Sequence, residues 1–344
     1  MTEMRDQQQS RLRPMDPVRD LGAIADLATE AFAAELDERG QAALRELRWM
    51  ARLSPLVWWW YRTDPEFRDA FNGFVWEEAT AKGWQVVGSA NLNRAPGDKH
   101  YYIICNVVVR PAHRGKGIGR ALTEAAIAEA WEREAKGIII QVHEDNAPAL
   151  HLYTSLGFRE TAAEVEMQLD ALSTVAVLDG PGYHIRPWNR ADGPACLDLA
   201  RRATPQVWQW LHPLRPEQYV IGRMAYLWQR LTEWLRGRSV HRLVAFREEQ
   251  LVAWMTVTVS RRRGVHNLEI LVHPEHTGRV EAALVSRALH ALRVAPRRAV
   301  RTWVNRNNEA LLSLLRDYGF RHRRTLLTLE MTPSENDASS GERT

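Results

Sequence analysis

The sequence predicts two tandem α/β lobes (α+β layered), each a mixed central sheet flanked by helices, and three observations predict it. Helical apolar spacing alternates with short β-branched runs in both halves of the chain. The order of those elements in residues 183–332 repeats the order in residues 10–172. Between them Asp179-Gly180-Pro181-Gly182 is a run of turn residues that suits a joint.

The first half supplies helices over 17–33 and 40–61, then strands over 75–80 and 85–92 joined by a turn at Lys82-Gly83. A β-branched and aromatic run follows at 101–109, then a helix over 117–136 with Leu122, Ala126, Ile127 and Ala130 on one side. Residues 137–142 read as a strand, 146–156 as a helix ended by Gly157 in the C-terminal cap position, and 164–169 as a last alternating strand. The second half repeats this with strands at 243–246, 251–259 and 268–272, a helix at 281–292, a strand at 300–304, a helix at 308–318 and a strand at 326–331. Local sequence repeats too. Leu12-Arg13-Pro14-Met15 returns as Ile185-Arg186-Pro187-Trp188, the Val-rich strand ending at Pro111 returns as the strand ending at Pro274, and Asn146 to Gly157-Phe158 returns as Asn308 to Gly319-Phe320. Residues 333–344 are small and polar and are expected to be a disordered tail.

Composition bounds the function. With 344 residues and 45% hydrophobic content the chain can bury two cores, and Cys105 and Cys196, far apart, exclude CxxC redox pairs and cysteine-based zinc sites; each is expected to be a buried free thiol. No apolar run reaches the ~18 residues of a spanning helix, and the polar, acidic start does not resemble a signal peptide, so no membrane is expected and the cytoplasm is the expected location. Residues 1–170 hold 20 basic and 26 acidic side chains, whereas 171–344 hold 26 basic, all arginine, and 16 acidic. This split is read as attraction between lobes or base composition; nucleic acid is not the favoured partner.

Between the third strand and its helix lies Arg114-Gly115-Lys116-Gly117-Ile118-Gly119-Arg120. Alternate glycines let successive N–H groups point at one centre, the helix adds its positive dipole end, and the bases add charge, which suits a pyrophosphate. The spacing is neither that of a P-loop nor that of a Rossmann turn.

This stretch resembles the GNAT superfamily of acyl-CoA-dependent N-acyltransferases, whose phosphate motif is Arg/Gln-x-x-Gly-x-Gly/Ala after a strand ending in Val-x-Pro. Here Val109-Arg110-Pro111 precedes the motif, and the second family signature, an asparagine opening the next helix and then Tyr-x-x-x-Gly-Phe, is met by Asn146 and Tyr153 to Gly157-Phe158. The resemblance covers residues 10–172 as a catalytic domain and 183–332 as a degenerate copy. It implies that backbone groups of Val107, Val108 and Val109 pair with the pantetheine arm of acetyl-CoA, that Arg114 to Arg120 with Gly115, Lys116, Gly117, Ile118 and Gly119 hold the pyrophosphate, and that Asn146 bonds the pantetheine. It implies further that an amine attacks the thioester, a strand N–H near Val107 stabilises the oxyanion, and Tyr153 protonates the departing thiolate. No metal is implied. The general base is left unassigned among Glu77, Glu78, His143, Glu144 and a water relay, because Gln141 stands where some members carry a glutamate.

In the second copy Val280 replaces the central glycine, Glu281 places negative charge where phosphate would lie, and Leu315 replaces the tyrosine, while Asn308 reads as a helix cap. That copy is read as a structural or acceptor-shaping partner. Of the fourteen tryptophans, most are expected in the core, but Trp58, Trp59 and Trp60 fan too widely for one helix face, so at least one should face the other lobe, another subunit or the acceptor pocket. The leading reading is an N-acetyltransferase with acetyl-CoA and an amine as partners, with a homodimer left open. The rival is a non-catalytic CoA-sensing or nucleic-acid/protein-binding module using the arginine-rich half.

Overall fold

The computed structural model describes residues 10–31, 45–46, 48–64, 68–69, 71–81, 83–172, 175–262 and 264–333. The tail at 334–344, Lys82 of the expected turn and the start of the helix expected over 40–61 lie outside the described residues. Two compact units are present. One comprises Met1–Gln141, Pro148–Arg159 and Leu329–Thr344; the other comprises Val142–Ala147 and Glu160–Thr328.

The first unit runs β1 (Ser10–Pro14), α1 (Pro17–Ala31), α2 (Ser54–Thr63), β2 (Gly73–Thr80), β3 (Gly83–Ala95), β4 (Asp98–Val109), α3 (Ile118–Glu132), β5 (Gly137–His143, through Gln141) and α4 (Ala147–Ser155, from Pro148). Its strand order is β1-β2-β3-β4-β5, antiparallel except for the parallel β4–β5 pair. A helix packs closely where β3 carries Gly88: a Cβ there would lie 3.0 Å from Ile118 Cγ2 and 3.0 Å from Leu122 Cδ1. Ile118 and Leu122 are buried with Val87 and Ala90, so the first turn of α3 is pressed onto β3 by apolar contact. The helix stops at Glu132, short of the expected Lys136, because Glu134 adopts φ +57.

The repeated Arg-Pro step has a structural reason. Arg13 makes a forked pair with Asp20, 2.7 Å for each bond, and the Asp20 carboxylate also accepts the Asp16 N–H at 2.8 Å. That ties β1 to the entry of α1. In the second unit Arg186 forks onto Asp192 at 2.7 Å twice, and Asp192 accepts the Asn189 N–H at 2.8 Å.

The second unit contains β6 (Arg159–Leu169, from Glu160), β7 (His184–Pro187), α5 (Gly193–Ala203), α6 (Gln206–Leu211), α7 (Pro216–Tyr219), α8 (Arg223–Leu235), β8 (Arg238–Arg247), β9 (Gln250–Ser260), β10 (His266–Val272), α9 (Glu281–Leu292), β11 (Val300–Asn305), α10 (Glu309–Asp317) and β12 (Arg321–Met331, through Thr328). Its strand order is β12-β6-β11-β10-β9-β8-β7. The last strand of the first sequence repeat, β6, therefore builds into the second unit, antiparallel to β11 from Glu164↔Asn305 to Leu169↔Val300. Val165, Met167 and Leu169 join its main core with Leu284, Leu289, Val304 and Leu315.

The expectation that most tryptophans lie in the core needs correction: Trp228 and Trp234 are 68% and 69% exposed on α8, a helix that buries none of its residues. Trp58 and Trp59, 50% and 53% exposed on α2, turn away from the core as the width of their run required. Cys196 is a buried free thiol, whereas Cys105 is free but only half-buried. No helix among the described residues is long and apolar enough to cross a membrane.

Candidate active site

The strand β4 ends at Val109 and the chain turns through Pro111–His113 into the glycine segment. Gly115 and Gly117 both take φ +78, where a side chain would be strained, and a Cβ at either position would meet nothing within 4 Å. Gly117 is the residue that caps α3, and no side chain hydrogen-bonds there. The first intrahelical bond runs from Ala121 N–H to the Gly117 carbonyl at 3.0 Å, so the amides of Ile118, Gly119 and Arg120 are the helix's free donors. The segment faces solvent except at Ile118, which anchors it.

Gly119 sits against both neighbours. A Cβ on it would lie 3.7 Å from Leu152 Cδ2 and 3.8 Å from Val109 Cγ2, which brings the end of β4, the start of α3 and the helix of Tyr153 together. Arg120 donates to Ser155 Oγ at 2.5 Å and reaches Glu124 at 3.3 Å, and Arg114 Nε donates to the Val109 carbonyl at 3.2 Å. Lys116 is exposed at the rim.

Along β4 the sequence reading missed a feature. The β3–β4 register shifts between Ser89 and Asn91, opposite Val108 and Cys105, and Asn106 stands at φ +53 inside the bulge. Asparagine is the side chain that best tolerates this conformation after glycine, and its place in a valine run is the one signal that could have marked the bulge. On its other edge β4 pairs with β5 only from Tyr101↔Gly137 to Ile104↔Ile140. Beyond those pairs the two parallel strands diverge, so Val107, Val108 and Val109 border an opening instead of a ladder. Val108 is buried, while Val107 and Val109 pack against the cluster under α3.

Tyr153 lies on α4, 6% exposed, with its ring edge-on to Phe158 at 6.2 Å. Burial pushes its phenol up to about 12, and its hydroxyl makes no hydrogen bond among the described residues. The helix closes with Phe158 N–H donating to the Tyr153 carbonyl at 3.1 Å around Gly157 at φ +99. Asn146 stands just before α4 with its N–H on the His143 carbonyl at 3.0 Å, and both belong to the Val142–Ala147 segment of the second unit.

The base candidates separate by their partners. Glu77 is buried beneath Arg13 and Arg19, at 2.6 Å each, and Arg11 at 2.9 Å. The Arg13 hydrogen bond, opposed by burial and joined by Arg11, lowers its pKa to about 2, so it is a structural anion. Glu78 meets His113 at 3.2 Å. In the second unit Glu144 meets Arg306 at 3.2 Å and His143 meets Arg324 at 3.4 Å. A broad cleft lined by Met15, Asp16, Trp58, Tyr61 and Arg68 opens beside α1 and α2.

The corresponding turn of the second repeat is closed by its own chain. The buried Glu281 carboxylate accepts N–H groups of Gly278 at 2.8 Å and Val280 at 3.1 Å, and Val280 and Leu315 are buried in the core. Asn308 caps α10 by accepting the Leu311 N–H at 3.0 Å. His273, Glu275 and His276 bring donor atoms within 4.8 Å of one another, but Tyr183 hydroxyl is 3.1 Å from His276 Nδ1, and Arg247 and Arg279 act on that ring.

Residues 27–158 match the acetyltransferase (GNAT) family. A mycothiol acetyltransferase of Catenulispora acidiphila is 31% identical over 161 residues, which is 46% of this chain and 46% of that protein. A streptothricin acetyltransferase of Streptomyces lavendulae is 47% identical over 53 residues, covering 15% of this chain and 28% of that protein. The chain spans about half the length of the mycothiol acetyltransferases it matches. Among solved structures, a GCN5-related N-acetyltransferase of Sphaerobacter thermophilus aligns with TM-score 0.58 at 16% identity, over 94% of this chain and 96% of that one. A tandem GNAT protein of the clavulanic acid biosynthesis pathway aligns with TM-score 0.53 at 19% identity, over 95% of this chain and all of its own. The fold of both is shared.

Proposed function

We propose that the chain, whose residues 27–158 match the acetyltransferase (GNAT) family, moves an acetyl group from acetyl-CoA to a primary amine. The observation that carries this reading is the uncapped start of α3, with its two left-handed glycines, opening beside the diverging ends of β4 and β5. The amides of residues 115–120 hold the pyrophosphate, with Arg114, Lys116 and Arg120 adding charge. The free edge of β4 at Val107, Val108 and Val109 pairs with the pantetheine amides as a strand would, and Asn146 adds a side-chain bond to them. A β4 N–H at the bulge stabilises the oxyanion that forms as the amine attacks the thioester carbon. When the carbon–sulfur bond breaks, the sulfur takes the electron pair and the Tyr153 phenol gives it a proton; its high pKa keeps that proton in place at neutral pH.

The names of the relatives make mycothiol-related amines and streptothricin the first acceptors to try, followed by polyamines, amino acids and peptide N-termini. The experiment is thiol release from acetyl-CoA over that amine panel, with Tyr153→Phe as the control. Amine-dependent release that collapses in the variant supports the reading, and a panel without any amine-dependent release, on protein that binds acetyl-CoA, removes it.

A further inference from the structure

The second unit keeps a cleft although its cradle is closed. The parallel β10–β11 pairing is confined to His266↔Val300 and Asn267↔Arg301, and past it the strands enclose a cavity of about 300 Å³ between Leu271, Val272, Trp303 and Asn305, with Trp208 of α6 as a further wall. That volume is at the small end of ligand pockets, roughly 300–1,000 Å³.

One residue in it has nothing to answer it. Glu164 lines the cavity from β6, directly opposite Asn305 in the antiparallel register. Its carboxylate has no hydrogen bond or ion pair among the described residues, and burial, with no charged neighbour to offset it, raises its pKa, a shift that a bound cation would reverse. Two residues further along the same face of β6, Glu166 shows the opposite condition: Arg323 is 2.6 Å away, Arg324 2.7 Å and Arg301 3.9 Å. Arg324 also lies 5.5 Å over the Trp303 ring, and Glu166 balances its charge. The charge left uncompensated in the cavity is therefore that of Glu164. An unpaired carboxylate in a partly dry, aromatic-walled space is costly until a cation joins it, and indole faces attract the same kind of ligand. An acyl-CoA is a poor occupant, since Glu281 already fills the site for its phosphates and Glu164 would repel an anion.

We propose that this cleft binds a small organic cation, a primary or quaternary ammonium on an apolar body, with Glu164 as its counter-ion and Trp208 and Trp303 as its walls. Binding there needs neither acetyl-CoA nor Tyr153. The test is calorimetric titration of the full chain, without acetyl-CoA, with 2-phenylethylammonium, tetramethylammonium and the neutral 3-phenyl-1-propanol. At least one cation should bind saturably at millimolar concentration or below and the alcohol should not. Glu164→Gln should weaken that binding on the order of tenfold or more, Trp303→Leu should weaken it too, and Tyr153→Phe and Gly117→Glu should leave it intact. If Glu164→Gln does not fold, Glu164→Asp, which keeps the charge but withdraws it, should still weaken binding. Absence of saturable binding by both cations, equal binding of the alcohol, or unchanged affinity in the Glu164 variants overturns the proposal. Loss of binding in Tyr153→Phe or Gly117→Glu would move the amine to the first unit instead, and the proposal would fall with it.

Discussion

The carboxylate of Glu281 accepts the backbone N–H of Gly278 at 2.8 Å, three residues before it in the chain. The equivalent turn in the first unit, at Gly115 and Gly117, leads into a helix start with no capping side chain. One turn is thus filled by a negative group of its own, and the other presents free donors outward. Two copies of one sequence pattern have been given opposite electrostatic states by a single acidic residue at the head of a helix.

Acetyl-CoA should bind once per chain. Gly117→Glu should weaken binding by at least about a hundredfold, because a side chain is strained at φ +78 and its charge opposes phosphate. Val280→Ala should leave the affinity unchanged, since Val280 is buried in the core of the closed copy. Calorimetric stoichiometry checks both.

Tyr153→Phe should lower kcat by ~10²–10⁴-fold, the usual share of general-acid transfer, with little change in the Kd for acetyl-CoA. Since burial raises the phenol to about 12, it stays protonated throughout the neutral range. The sign is that of an acid lost only as pH rises, so kcat should show no alkaline fall from this group below about pH 10, the ordinary tyrosine value. A pH–rate profile on both forms measures it.

Glu77→Gln should cost stability and spare catalysis. With its folded pKa lowered to about 2 by Arg13, the carboxylate contributes stability above its ordinary 4.5 and loses it as pH falls from there toward 2. Two of its arginines are nearly half exposed, which screens the pairs, so the loss at pH 7 should be on the order of 2 kcal/mol. Urea unfolding at pH 7 and pH 3 reads the difference, which should shrink at the lower pH. Loss of kcat in a fully folded Glu77→Gln protein would return Glu77 to the list of bases.

A fragment of residues 1–178 should aggregate or pair with itself. It carries β6 without β11, leaving Val165, Met167 and Leu169 outside the core they occupy in the full chain. Size-exclusion chromatography of the fragment decides it; a soluble monomer would be the contrary result.

The glycine turn is legible in the sequence because Arg114 to Gly119 is a contiguous motif whose glycines have a backbone reason, and most strands are legible as β-branched runs. The partner of a strand is another matter. Nothing in the alternation of residues 164–169 says that they pair with 300–305, since register is a tertiary choice. The cluster around Glu77 was equally hidden, because Arg13 lies 64 residues away and only the sheet joins them. The exposure of the α8 tryptophans could not be read from their type, because hydrophobicity predicts burial in one direction only.

Finally, the placement of β6 and β12 bears on how the protein is made. The first unit includes Leu329–Met331, which follow the whole of the second unit in the chain, and β6 must wait for residues 300–305 before it has a neighbour. Translation at roughly 5–20 residues per second would leave β6 unmatched for several seconds after synthesis. The repeat that appears first in the gene is therefore not the part that finishes first, and early termination anywhere in the second repeat leaves both halves incomplete.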